Sequence, residues 1–202
     1  MIGDFTLDGL AKKGMIAMKQ VWSIGKRKCE GYYKYRTMLF DYLVKSIVLY
    51  GAEIWGWGEK VKLERIQEKF LMWTLEVEWC TPRYIVLEET KRDKIRIQAG
   101  KRAVNYEFKI RNGENEILKE IVYELDSRKE ETDWRESRRK YFERTGWSPT
   151  EIMRRGNTKD ILTEVTQKDR DLQREEQREK KSKSSTTQIT RTQCYQTCHT
   201  TC

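Results

Sequence analysis

The chain has almost none of the residue type on which most acid–base enzymes depend. Its 202 residues contain one histidine, His199, close to the C-terminus. Histidine general-base catalysis, serine or cysteine triads and His-ligated zinc hydrolysis therefore have nothing to draw on in the body of the chain. No Gly-x-x-x-x-Gly-Lys-Ser/Thr or Gly-x-Gly-x-x-Gly motif occurs, and no Asp-Asp pair. That leaves no phosphate-cradling loop, and two-metal nucleotidyl transfer lacks its converging carboxylates. The residues predict a protein that is not an enzyme, with no cofactor, no metal and no small-molecule substrate.

Cysteine and proline are also sparse. Of five cysteines only Cys29 and Cys80 lie in the body, without neighbours at metal-ligand spacing, and no secretory signal opens the chain. A reducing, intracellular setting is the expectation. The most apolar run, 38–57, is interrupted by Asp41, Lys45 and Glu53, so no membrane span is expected. The two prolines, Pro82 and Pro149, each follow a Thr or Ser. Both read as helix starts, with Ser148-Pro149-Thr150-Glu151 forming a capping box.

What is abundant is charge. Hydrophobic residues make up 37% and charged residues 36%, against a usual charged share of about 25%, so long charged helices or disorder are expected outside any core. The net +9 is uneven: residues 1–112 carry 22 Lys and Arg against 14 Asp and Glu, whereas 113–202 carry 19 against 18. Between Lys12 and Arg36 eight cations (Lys12, Lys13, Lys19, Lys26, Arg27, Lys28, Lys34 and Arg36) face one acid, Glu30. Ion-pair lacing needs both signs, so this imbalance points to phosphate contact over a merely solvated face.

Apolar spacing is helical throughout. Ala11, Met15, Met18 and Trp22 recur at steps of three and four, with Asp8 as a candidate cap. A largely buried helix is expected over about 33–49, its polar stripe being Thr37, Asp41 and Lys45, with Asp41 and Lys45 four apart and able to pair. Three glycines then break the pattern in an aromatic turn holding Trp55 and Trp57, either core residues or platforms for stacking on bases. Glu53 in that turn is a candidate buried acid, structural or catalytic. Leu63, Ile66, Phe70, Trp73 and Val77 give the cleanest amphipathic pattern, and Ile95, Ala99, Ala103, Tyr106 and Ile110 another; no period-two strand is evident. The predicted core is Met18, Trp22, Leu39, Leu43, Ile47, Ile66, Phe70 and Trp73. Ile117, Ile121, Val122 and Leu125 suggest one more helix. Beyond it Trp134, Tyr141, Phe142 and Trp147 look too few for a second core.

From 158 to 181 dense mixed charge suits an exposed helix laced by ion pairs, or an arm docked on a helical protein partner. Residues 182–202 are Ser, Thr and Gln with little apolar content and are expected to be disordered. Cys194, Cys198, His199 and Cys202 do not match usual zinc spacings, and no metal is expected there. The fold class predicted is mainly α: a helical bundle over 1–126, a charged helical extension over 127–181 and a disordered tail over 182–202.

An ordered set of landmarks carries a resemblance. Ala11-Lys12-Lys13-Gly14 leads through Met18-Lys19-Gln20-Val21-Trp22-Ser23-Ile24-Gly25 to Leu39-Phe40-Asp41 and Tyr50-Gly51-Ala52-Glu53-Ile54-Trp55-Gly56-Trp57. Then follow Glu64-Arg65-Ile66-Gln67-Glu68-Lys69-Phe70, Thr81-Pro82-Arg83-Tyr84 and Ala99-Gly100-Lys101-Arg102-Ala103. Over about residues 10–181 this succession resembles the stretch after the palm in reverse transcriptase polyproteins of insect non-LTR retrotransposons of the R1 and jockey type. The resemblance implies a thumb-and-connection region that grips template and primer. The family's polymerase aspartates and endonuclease lie outside the matching stretch, so no catalytic position carries over. It implies a holding role without the chemistry, and the charge imbalance independently makes the eight cations named the expected contacts to an RNA or DNA backbone, with Trp55 and Trp57 as candidate stacking residues. An inert fragment of a decayed element and a helical adaptor are the rival readings.

Overall fold

A computed structural model describes residues 3–28, 32–127, 132–148 and 158–186. The protein is mainly α, and no strand occurs among the described residues. The order is α1 (Gly3–Lys28), α2 (Tyr33–Leu39), a π turn (Phe40–Val44), α3 (Lys45–Val48), α4 (Ala52–Trp55), α5 (Val61–Thr74), α6 (Arg83–Thr90) and α7 (Ile95–Asn112). It continues with α8 (Glu116–Ser127), α9 (Asp133–Thr145) and α10 (Thr158–Thr186). α10 thus includes residues 182–186, which the sequence reading assigned to the tail. The tail residues 187–202, with the Cys/His cluster, and the capping box from Pro149 to Glu151 lie outside the described residues.

The first core gathers Val21 of α1, Phe40, Val44 and Val48, Leu63, Ile66, Phe70 and Leu71 of α5, Val86 and Leu87 of α6, and Ile95 and Ala99 of α7. Phe40 and Phe70 stack with ring centroids 4.3 Å apart. α1 and α5 run parallel: Asp8 meets Lys62 near their starts, Gly14 lies against Ile66, and Trp22 meets Trp73 near their ends. Asp8 is therefore an ion-pair partner inside α1, not the cap expected from the sequence.

The π turn changes which residues face inward. In an α-helix a step of four turns a residue about 40° round, but the wider turn keeps Arg36, Phe40, Val44 and Val48 on one buried line. Leu43, expected in the core, is 46% exposed, and Trp22 is 43% exposed. The expected polar stripe turns inward instead: Thr37 is buried, and Asp41 accepts from Lys45 (3.4 Å) and from Arg92.

A second core exists where the sequence reading found too few apolar residues. Trp57, Ala103, Val104, Phe108, Tyr141, Phe142, Ile161 and Val165 are all buried in it. The Trp57 ring lies 5.7 Å from Tyr141 and 5.6 Å from Phe142. Each segment supplies only a few side chains, so no single window signals the cluster. α7 joins the two cores, and Gly100 on it makes room for Tyr141: a Cβ there would stand 2.6 Å from the tyrosine ring. α10 packs along α7, α6 and α9, so the apolar residues expected to serve a partner are used within the chain. Its buried line, Ile161, Val165, Asp169, Gln173 and Gln177, is polar over most of its length.

Candidate nucleic-acid interface

On α1 the residues that face the core (Gly14, Ala17, Val21, Gly25) leave Lys12, Lys13, Lys19, Lys26 and Arg27 exposed. Lys12, Lys19 and Lys26 are seven apart, two helical turns, and so form a row with about 10 Å between successive cations. Among the described residues no acid pairs with Lys12, Lys13 or Lys19. α5 adds cations the sequence reading did not single out. Lys62 and Lys69 are also seven apart, and both are exposed with Arg65. Lys62 touches Asp8 at 2.5 Å, and Asp8 shares the helical line of Lys12, so the two rows flank one surface. The signal was present as the polar face of the α5 pattern, but only parallel packing of α1 and α5 gives it a neighbour.

Aromatic side chains border the C-terminal end of this surface. Trp22 meets Trp73 edge-on at 5.6 Å, with the Lys26 ammonium 6.0 Å from the Trp22 ring. Tyr32 and Tyr35, 63% and 53% exposed, form their own edge-on pair at 5.7 Å, and Lys34 beside them is exposed.

The other expected contacts are placed differently. Arg36 is buried, packed between Gly25 and the Trp73 ring, 5.3 Å from its guanidinium, and reaches Glu76 at 3.9 Å. It ties α2 to α1 and α5. Trp57 is 3% exposed inside the second core; its faces are covered and are not open to a base. Trp55 packs against the first core and donates its indole N–H to the Tyr50 carbonyl at 3.0 Å. Lys28 is the last residue of α1, and its side chain lies outside what is described. Of the two roles expected for the tryptophans of this glycine-rich turn, core packing is the one seen: Gly56 brings α4 against α7, where a Cβ would meet the Ala99 carbonyl at 2.3 Å.

The buried acids serve the architecture. Glu53, the acid expected to be buried, is partly exposed and 3.9 Å from Arg102. The buried one is Glu64, whose carboxylate accepts the Ile95 N–H (2.9 Å) and the Arg96 N–H (2.7 Å) at the start of α7. Burial pushes this carboxyl up to about 7, against the pull of those two bonds. It caps α7 from another helix, satisfying donors that a helix start leaves open. Asp169 of α10, fully buried, lies 3.5 Å from Arg96 and 3.4 Å from Arg144. Burial raises its carboxyl above the usual range while the two guanidiniums pull it back.

No helix among the described residues is long and apolar enough to cross a membrane, and none of their His, Cys, Asp and Glu side chains form a group able to hold a metal ion. Comparison of the chain with protein-family models, with curated proteins and with solved structures returned no match.

Proposed function

We propose that the chain is a non-catalytic holding module, a remnant of a retrotransposon reverse transcriptase polyprotein that grips RNA or DNA without reading sequence. The observation that carries the binding reading is the pair of lysine rows, Lys12, Lys19 and Lys26 on α1 beside Lys62 and Lys69 on the parallel α5. Phosphate contact supplies affinity without sequence information. The exposed Tyr32 and Tyr35 beside Lys34 offer ring faces to single-stranded bases. The polyprotein origin rests on the ordered sequence landmarks alone.

Fluorescence anisotropy across a salt series tests the binding. Engaging about three to five phosphates on a duplex gives a log–log slope of about −3 to −5. The K12A/K19A/K26A variant should flatten it by up to about three units while the fold holds, because exposed cations contribute little stability. Tyr35→Ala should weaken single-strand binding by about 1–3 kcal/mol. An unchanged slope in the triple variant leaves the inert-fragment reading ahead.

One observation favours an interaction role. α8 carries Ile117, Ile121 and Tyr123 at 70%, 47% and 76% exposure, and its charged residues are mostly acidic: Glu116, Glu120, Glu124 and Asp126 against Lys119. That charge fits the basic α1 face of a second copy of the chain. Light scattering on I117E/I121E decides it: a salt-sensitive rise in mass with concentration in the wild type, lost in the variant and displaced by nucleic acid, supports head-to-tail association. A monomeric wild type at every concentration excludes it.

A further inference from the structure

Between the end of α6, the turn that follows it and α10 lies a groove of 370 Å³, within the roughly 300–1,000 Å³ of ligand clefts. None of the lysine rows contributes to it. It is lined by Lys91, Arg92, Arg170, Arg174 and Arg178 against only Glu88 and Asp93, so five cations face two carboxylates.

The floor is fixed by bonds already made. Arg92 donates to Asp41, and Arg170 lies 2.8 Å from Asp93. The Gln173 side chain donates to the Arg92 carbonyl at 3.0 Å and accepts the Lys94 N–H at 2.8 Å. These contacts hold the turn between α6 and α7 against α10, with Lys91 in a left-handed conformation (φ 53°) and exposed above them. One turn of α10 further on, Gln177 also lines the groove, 7% exposed, and its side-chain N–H2 has no hydrogen-bond partner. A buried donor is costly without an acceptor. Surrounded by a surplus of positive charge, the acceptor best matched to it is an anionic oxygen.

We propose that this groove is an anion-binding site for an oligophosphate, a chain of phosphoryl groups contacted by Lys91, Arg174 and Arg178 and by the Gln177 side-chain amide. Arg92 and Arg170 supply background positive potential while keeping their carboxylates, and Arg174, 3.2 Å from the exposed Asp171, exchanges that surface pairing for a phosphoryl oxygen. An oligophosphate suits the site better than a single phosphate because the lining cations run along about two turns of α10, roughly 12 Å from Arg170 through Arg174 to Arg178, and across to the turn at Lys91. The same chemistry is offered by the 5′-triphosphate end of a strand and by inorganic polyphosphate.

Calorimetric titration of the full chain with inorganic tripolyphosphate is the test. Saturable binding that weakens with salt is expected. The K91N/R178Q variant should weaken it at least tenfold, since Asn tolerates the left-handed conformation and Arg178 is exposed. Gln177→Leu should weaken it several-fold while the melting temperature holds or rises, because it removes the unpaired donor at similar size. K12A/K19A/K26A should bind tripolyphosphate within about twofold of wild type, which separates this site from the lysine rows. Competition by a 5′-triphosphorylated against a 5′-hydroxyl oligonucleotide distinguishes a strand end from free polyphosphate as the source. Absence of saturable binding, or unchanged affinity in either K91N/R178Q or Gln177→Leu, overturns the proposal.

Discussion

Glu64→Gln isolates the cap on α7 through its pH dependence. The wild-type carboxyl rises from its ordinary 4.5 to about 7 on folding, chiefly through burial. Between those values the native state holds a proton that the unfolded chain has released. Glu64 therefore contributes stability that is complete below pH 4.5 and is lost as pH rises through 7, a difference of about 3 kcal/mol. Glutamine cannot titrate. It keeps one acceptor oxygen but turns an N–H2 toward the second backbone N–H, leaving one buried donor unpaired at about 1–3 kcal/mol. Urea unfolding followed by tryptophan fluorescence should find the variant less stable than wild type at pH 4.5. The gap should close or reverse by pH 8.5. Other groups whose pKa is shifted, Asp169 raised and Glu176 lowered, are common to both proteins and drop out of the difference. A gap that stays constant across that range would refute the reasoning, because it would mean that Glu64 titrates alike in both states.

The Glu107 carboxylate receives Arg138 through two bonds, 2.8 and 2.5 Å, with Arg111 at 2.9 Å. Arg138→Ala should cost about 1–3 kcal/mol, because the buried Glu107 carboxylate loses two bonds and keeps only Arg111, and the R138M/E107L pair should recover most of it, as read by thermal unfolding. Gly100→Ala forces a methyl into the Tyr141 ring; about 1–3 kcal/mol should be lost, and crystal or NMR data should show the ring displaced.

What the sequence showed and what it hid divide along one physical line. Where a helix buries an apolar stripe of its own, as α5 does with Leu63, Ile66 and Phe70 or α7 with Ile95, Ala99 and Ala103, the periodicity located it within a few residues. Where burial is decided by a distant segment, the pattern misled. Leu43 and Thr37 exchanged places because the π turn altered the helical phase, which local propensity does not report. Asp169 and Gln173 read as solvated because each is polar, yet their partners Arg96, Lys94 and Arg92 sit more than 70 residues away. Of the basic surface, the α1 lysines were legible as an unbalanced run. Lys62 and Lys69 were not, since they lie among acids in sequence and gain their place from the parallel packing of α1 and α5.

The second core makes the chain's two halves dependent on each other, and a truncated chain ending at residue 127 measures by how much. Trp57, Val104 and Phe108, at 3%, 1% and 4% exposure, belong to the first half but are covered by Tyr141, Phe142, Ile161 and Val165. Uncovering the three costs up to about 1.5–3 kcal/mol each. Charge compounds the loss: Glu107 gives up Arg138, and Arg96, only 5% exposed, gives up Asp169 and Glu176. Total stabilities of about 5–15 kcal/mol leave little after such a loss. The truncated chain should therefore show a broadened, low-temperature unfolding transition and bind a hydrophobic dye, while its helical signal from α1 to α7 partly persists. Its tryptophan emission should shift to the red as Trp57 meets water. A sharp transition at the temperature of the full chain, with no dye bound, would mean that the first core suffices alone and that α9 and α10 merely rest on its surface.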